Sequence, residues 1–426
     1  MGFSTAVSGL NAAANMLSVT GNNIANVNTT GFKNSRSEFA DVYSTSIGSG
    51  GKTTPGSGVV TANVAQLFGQ GNLQATGNNL DLAISGEGFF VLGENTSAYA
   101  NHSYTRAGNF HTDQDGYVVS NNGQPLLAYR ANGSTVEEGF STGVLEPLRL
   151  DTGEGKPAAT TQIDTAVNLD ARKPTIDPVT TPFVGPVGGV VDPATYTSSS
   201  SVTVYDSLGN SHLVSHYFVN RVPTLPGAAS QWDVYTTVDG TNIETPLATD
   251  TLTFDSSGKL TSAMPISYNP FPITAPKAED LTLTLDLTGS TQLGSAFSVN
   301  SLTQNGLTTG TLSGIDISDT GVVFARFTNG EAKPLGQVAM VRFGNAQGLT
   351  KLGDTRWGES VQSGPPLSGI AGSGAFGSIK SGNLESSNVD LSAQLVNLII
   401  AQQAYQANAQ TITTENEVTR TLLQIR

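Results

Sequence analysis

The sequence predicts a mainly β protein with α-helical ends, and three observations support this. Apolar repeats of helical period, free of charge, open and close the chain. Segments of two-residue alternation fill the middle, and Asn-Gly and Asp-Gly dipeptides punctuate them. Isolated helices gain little stability without packing partners, so the two ends are expected to pack together. The architecture is then nested: N- and C-terminal helices form a coiled-coil-like domain with two β domains inserted between them. The borders read are 1–70 plus 371–426 for the terminal helical polymerisation domain and linker, 71–149 plus 301–370 for an inner β domain, and 150–300 for an outer one.

At the N-terminus no charged side chain precedes Lys33, and apolar positions recur at Phe3, Val7, Leu10, Ala14, Leu17 and Ile24. Alternating steps of four and three line up one stripe of a helix. The C-terminus mirrors it. No charge occurs from Leu391 to Thr414, and Leu391, Leu395, Leu398, Tyr405, Ala409 and Ile412 form the stripe. A second apolar set, Val396, Ile399, Val418, Leu422 and Ile425, widens it. The opposite faces carry Asn, Gln, Ser, Thr and Ala instead of the Lys and Glu of a solvated helix, so each helix has more than one surface to bury. Ser387 with Asp390 three residues on has the spacing of a capping box, and Arg420 and Arg426 suit the negative end of the helix dipole. The twelve stripe residues are the candidate contacts of terminal-helix and intersubunit packing.

Between the ends, Leu80, Leu82, Ile84; Trp232, Val234, Thr236, Val238; and Leu281, Leu283, Leu285, Leu287 have the period of half-buried strands. Asp115-Gly116, Asn122-Gly123, Asn132-Gly133, Asp239-Gly240, Asn305-Gly306 and Asn329-Gly330 supply the positive φ angles of tight turns. Pro- and Gly-bearing stretches at 174–193, 223–227 and 48–58 read as long loops or domain borders.

Composition narrows the function. Charged residues are 13% of the chain, the net charge is -14, and Cys is absent. An acidic chain lacks the Lys and Arg clusters that grip phosphate backbones, so nucleic acid is not an expected partner. Without Cys there is no disulfide, thiolate metal site or Cys nucleophile. No apolar run is long enough for a membrane span, and the N-terminus lacks the basic start and compact apolar run of a cleaved signal peptide. Neither membrane insertion nor a cleaved signal is expected.

Isolated site-like patterns have plainer readings. Gly372 to Gly377 match GxGxxG, but no strand precedes the match and no long helix follows, so it reads as a loop. His212 and His216 share a strand face without a third ligand. Asp113-Gln114-Asp115-Gly116 opens like a calcium loop, lacks the closing Glu, and reads as a hairpin turn. With four His in the chain and no GxSxG, no nucleophile and base assemble. No enzyme, cofactor or metal is expected.

The run SGLNAAANMLSVTGNNIANVNTTGFKNSR at 8–36 resembles the N-terminal signature of the flagellar rod, hook and hook-associated proteins, and NLESSNVDLSAQLVNLIIAQQAYQANAQTITT at 383–414 resembles their C-terminal one. AISGEGFFVL at 83–92 and YTRAGNFHTDQDGYVV at 104–119 are similar to segments common to hook and distal-rod members. FADVYSTS at 39–46, VTVYDSLGNSHLVSHYFVN at 202–220 and LTFDSSGKL at 252–260 resemble the hook branch. The resemblance implies a structural subunit, exported by the flagellar type III apparatus, that polymerises with itself into a curved tube transmitting torque. It also implies the distal rod, hook cap and hook-filament junction proteins as partners, and an extracellular place on the basal body. The competing readings are a distal-rod or junction protein and, in a different class, a secreted β-sandwich adhesin.

Overall fold

The computed structural model describes the chain except residues 1, 43–55, 97–100, 151–152, 154, 187–189, 225–228, 244–249, 274–276 and 425–426. It is mainly β, with helix α1 (Gly2–Ala25) at one end and α2 (Leu391–Gln424) at the other. Among the described residues, the intervening chain holds strands, turns and two short 3-10 turns. Two compact units are present: Met1–Thr152 with Gly314–Arg326 and Ala332–Arg426, and Gly153–Ser313 with Phe327–Glu331.

The first unit is organised on the strand Ala332–Arg342. It pairs antiparallel with Leu127–Ala131, Phe89–Leu92 and Leu367–Ile370. Its side chains alternate between two cores. Val338 and Met340 join Phe90, Leu92, Leu126 and Ile379 on one face, while Ala339 and Val341 join Phe89, Val91, Tyr104 and Trp357 on the other. Burial on both faces explains why these strands read as continuous apolar runs.

The second unit is a sandwich. One sheet is built from Ser198–Tyr205, Ser211–Arg221, Ser230–Val238 and Asp250–Phe254. The other is built around Gln162–Asp170, parallel to Thr284–Asp286 and Thr291–Leu293 and antiparallel to Ser298–Gln304. Trp232, Val234, Val214 and Phe218 of the first meet Ile163, Val167, Leu169 and Leu285 of the second. Asp239 (φ 48°) and Gly240 (φ 71°) close the turn between Ser230–Val238 and Thr241–Asn242, both in the left-handed region a two-residue hairpin needs.

The Pro- and Gly-bearing segment at 174–193 lies within this unit, where its described part acts as a strap. Phe183 stacks on Tyr235 at 4.1 Å, and Val191 and Val219 complete a satellite core. The strap buries Tyr235, on the face of Ser230–Val238 that the alternating pattern leaves facing solvent.

The two strand histidines respond oppositely to acid. Burial works against protonation of His212, but its Nδ1 lies 2.6 Å from Asp239 Oδ2 and its Nε2 3.4 Å from Asp206 Oδ2, and these hydrogen bonds raise its pKa above 6.5. Its contribution is complete below pH 6.5 and fades as pH rises through the raised folded value. His216 bonds Thr236 Oγ1 at 2.9 Å, and burial pushes its pKa down from 6.5 to about 4. Folding excludes the proton that the unfolded chain takes up, so stability is lost as pH falls from 6.5 to about 4. The loss amounts to roughly 3 kcal/mol at 1.36 kcal/mol per pKa unit. In a Trp357→Phe background, so that emission reports Trp232 alone, denaturation across pH is expected to show His216→Leu flattening the acid limb and His212→Asn the alkaline one. An unchanged acid slope in His216→Leu would sink this assignment.

The two remaining site-like patterns fold into local turns. Asp113 Oδ1 accepts from the amides of Asp115 (3.0 Å) and Tyr117 (2.8 Å), closing a hairpin between His111–Thr112 and Val118–Val119. Gly372 donates to the carbonyl of Gly377 at 3.0 Å, folding the GxGxxG match into a loop; contrary to the sequence reading a strand, Leu367–Ile370, does precede it, and a second strand, Ser378–Ser381, follows.

Candidate polymerisation surface

The two terminal helices are antiparallel neighbours. Asn23 Nδ2 donates to Gln394 Oε1 at 3.2 Å. Fourteen residues toward the start of α1, a Cβ on Gly9 would lie 2.5 Å from Asn408 Oδ1. Equal steps in opposite directions define one register, which sets Ala13 against Ala404, Met16 against Ala401 and Thr20 against Asn397. The residues Ala6, Gly9, Ala13, Met16, Thr20 and Asn23 recur at steps of three and four, as do Gln394, Asn397, Ala401, Ala404 and Asn408. The seam is therefore small and amide-bearing, with Ala6, Ala13, Thr20, Asn23, Gln394 and Ala401 buried. Small side chains let the backbones approach closely. The same 3,4 spacing was present in the sequence, but Ala, Gly and Asn carry no hydropathy signal.

The predicted stripe lies elsewhere on the helices. On α1, Phe3 is exposed, and Val7, Leu10, Ala14, Leu17 and Ile24 are half-buried beside the seam. On α2, Leu391, Leu395 and Tyr405 are exposed, and Leu398, Ala409 and Ile412 are half-buried. Val396, Ile399 and Val418 of the second set are exposed, while the Leu422 side chain and Ile425 lie outside what the structure describes. At about 100° per residue, Leu395, Val396 and Ile399 stand opposite Gln394, Ala401 and Asn408, at 45, 55 and 53% exposure. Beyond Glu415, α2 runs past the start of α1 in this register, and its described side chains there are exposed. A grouped set of exposed aliphatic side chains marks an interaction surface.

The capping pattern needs one correction. Asp390, not Ser387, caps α2: its Oδ1 accepts from the Ala393 amide at 3.1 Å, while Ser387 Oγ accepts from the Val389 amide at 3.3 Å in the preceding turn. The helix begins at Leu391, so Ser387 is too early to reach its free amides.

A fastening absent from the sequence reading ties both helix roots to the strands. Gly31 takes φ 69° and donates its amide to the Glu385 carbonyl at 2.8 Å. A Cβ there would meet the Ala107 amide nitrogen at 2.4 Å. Lys33 Nζ lies 2.5 Å from Glu385 Oε1 and donates to the Gly69 carbonyl at 2.9 Å. Gly71 N donates to the same Oε1 at 2.8 Å. Arg106 Nη1 lies 3.3 Å from Glu385 Oε2, and its Nη2 donates to the Gly86 carbonyl at 2.8 Å. The Lys33 and Glu385 side chains are both 0% exposed. Burial pushes the Lys33 ammonium and the Arg106 guanidinium below their ordinary pKa values, opposed in both by Glu385.

Four family descriptions match along the chain. Residues 3–33 match the flagella basal body rod protein, 83–172 the flagellar hook protein FlgE/F/G D1 domain, 168–307 the flagellar basal body protein FlaE D2 domain, and 380–425 the flagellar basal body rod FlgEFG protein C-terminal. A solved structure of Helicobacter pylori flagellar hook protein FlgE2 shares the fold at a TM-score of 0.57 and 17% identity, covering 74% of this chain and 100% of its own. The flagellar hook protein FlgE of Borreliella burgdorferi is 32% identical, with 99% of this chain and 98% of the relative covered. Those of Salmonella typhimurium and Escherichia coli are each 37% identical, with both chains covered in full. The chain belongs to the flagellar hook protein FlgE family.

Proposed function

We propose that this chain is the structural subunit of the flagellar hook and polymerises through the outward faces of its terminal helices. The observation that carries this reading is the division of labour on α2: small and amide side chains meet α1, while Leu395, Val396 and Ile399 face away from it, exposed. A subunit repeated by one head-to-tail operation uses two different patches, and a rotation that does not close gives an open helical tube. In this reading residues 1–70 and 371–426 act as the polymerisation domain, coiled-coil-like in its helix pair, and 71–149 with 301–370 and 150–300 stack outward as inner and outer β domains. The helices, charge-free through α1 and from Leu391 to Thr414 of α2, line a channel through which exported chains pass without electrostatic trapping. The tube is curved and transmits torque, with neighbours at the distal rod, cap and filament junction. The subunit reaches this place through the flagellar export apparatus, without a cleaved signal, and its role is structural, not catalytic.

The double variant Leu395→Asp/Ile399→Asp tests the surface. Both side chains are about half exposed in the single chain, so the monomer is expected to keep its circular dichroism and unfolding transition. Polymerisation is expected to vanish in negative-stain micrographs, because two carboxylates would be desolvated in every contact. Tubes forming at the wild-type concentration would overturn the assignment. Val179→Asp, on an exposed position of the second unit, serves as the matched control.

A further inference from the structure

We propose that Lys33, Arg106 and Glu385 form a charge latch that makes the two chain ends seat on the β body together or not at all. The three residues come from three separate parts of the chain: after α1, at the end of the strand Ser103–Thr105 of the first unit, and before α2. Arg106 is the fixed socket. Its guanidinium is held by the carbonyls of Gly86 and Ile84, at 2.8 and 3.5 Å, and lies 5.4 Å from the centre of the Phe89 ring. Lys33 arrives with the N-terminal segment and Glu385 with the C-terminal one, and all three side chains are at most 6% exposed.

Taking an ion out of water costs several kcal/mol, recovered only when its partner is present with good geometry. If the N-terminal segment seats alone, two cations are buried with no carboxylate between them. If the C-terminal segment seats alone, Glu385 keeps Arg106 and the Gly71 amide but loses Lys33, and the Gly69 carbonyl keeps only the Asn388 side-chain amide of its two donors. Half-seated states are therefore penalised, and the penalty is unequal. The pocket holds two positive groups and one negative, so loss of the carboxylate is far worse than loss of the ammonium.

That inequality separates a latch from ordinary packing. Hydrogen exchange on the full-length chain is the measurement. Glu385→Gln is expected to speed exchange of the α1 amides and of residues 31–35 and 67–72 by roughly two to three orders of magnitude, while strands 89–92 and 338–342 keep wild-type protection. Lys33→Met leaves a neutral Arg106–Glu385 pair and is expected to cost only about tenfold. The double variant Lys33→Met/Glu385→Gln is expected to exchange about tenfold more slowly than Glu385→Gln alone, because it removes one of the two stranded cations. Three results would each overturn the latch: α1 protection unchanged in Glu385→Gln, the central strands losing protection in step with α1, or a double variant as bad as or worse than Glu385→Gln.

The consequence for assembly rests on the hook reading and is read separately. Glu385→Gln is expected to fail to polymerise where wild type forms tubes, and the double variant to recover part of that loss. A polymerisation result that does not follow the exchange result counts against assembly through the terminal helices and leaves the latch standing.

Discussion

Trp232→Ala is expected to unfold the Gly153–Ser313 unit at markedly lower denaturant while the first unit keeps its transition. Trp232 is 0% exposed and sits at the centre of the sandwich core with Phe218, Val234 and Leu252. Removing an indole from such a site costs about 3–5 kcal/mol, the transfer term plus the cavity left behind. A domain's whole stability is typically about 5–15 kcal/mol, so this one substitution takes a large share. The chain has two Trp residues, and the other, Trp357, lies in the first unit. In the variant, tryptophan emission therefore follows the first unit alone, while far-ultraviolet circular dichroism follows both. Two separated transitions are expected. A single coincident transition would mean that the units unfold as one cooperative body and would refute the prediction.

Gly108→Ala is expected to be the most damaging single-methyl change in the first unit. A Cβ at Gly108 would lie 1.6 Å from the Leu82 carbonyl oxygen and 2.6 Å from its carbon. The obstruction is backbone, not the movable end of a side chain. The Leu82 amide also donates to the Gly108 carbonyl at 2.9 Å, so the chains cannot part without losing that hydrogen bond. Leu82 and Ile84 are core residues of this unit, and displacing their backbone disturbs the packing behind them. Overpacking a core costs about 1–3 kcal/mol, occasionally more, and rigid backbone places this site at the upper end. Gly143→Ala is the control, because a Cβ there meets nothing within 4 Å. Its change in stability is expected within about 0.5 kcal/mol. Equal midpoints for the two variants in guanidinium unfolding would rule out the close approach at Gly108.

Both predictions rest on contacts that local pattern does not reveal, and the same divide runs through the molecule. The alternation at Trp232, Val234 and Val238 placed a strand and its core face correctly, because side-chain direction in a strand depends on position parity alone. Burial of Tyr235 on the other face depends on the strap residue Phe183, more than fifty residues earlier. Asp239-Gly240 and Asp113 to Gly116 announced their turns because few residue types tolerate those backbone angles. The cap of α2 was misplaced by three residues, since Ser387 and Asp390 both suit an N-cap and only the start of the helix at Leu391 chooses between them.

The sequence by itself determined that the ends are helical, that the body is β, and that the motifs at 8–36 and 383–414 belong to a flagellar axial protein. These are properties of neighbouring residues, and dihedral preference, hydrophobic period and motif spacing record them directly. Only the tertiary structure decided that small and amide side chains form the helix seam, that Leu395, Val396 and Ile399 are left facing outward, and that Lys33 closes on Glu385 across 352 residues. A seam of Ala, Gly and Asn has no hydropathy contrast to betray it, and a buried ion pair between chain ends is invisible until both ends occupy one site. The physical reason is common to both: close approach and desolvation are properties of two surfaces brought together.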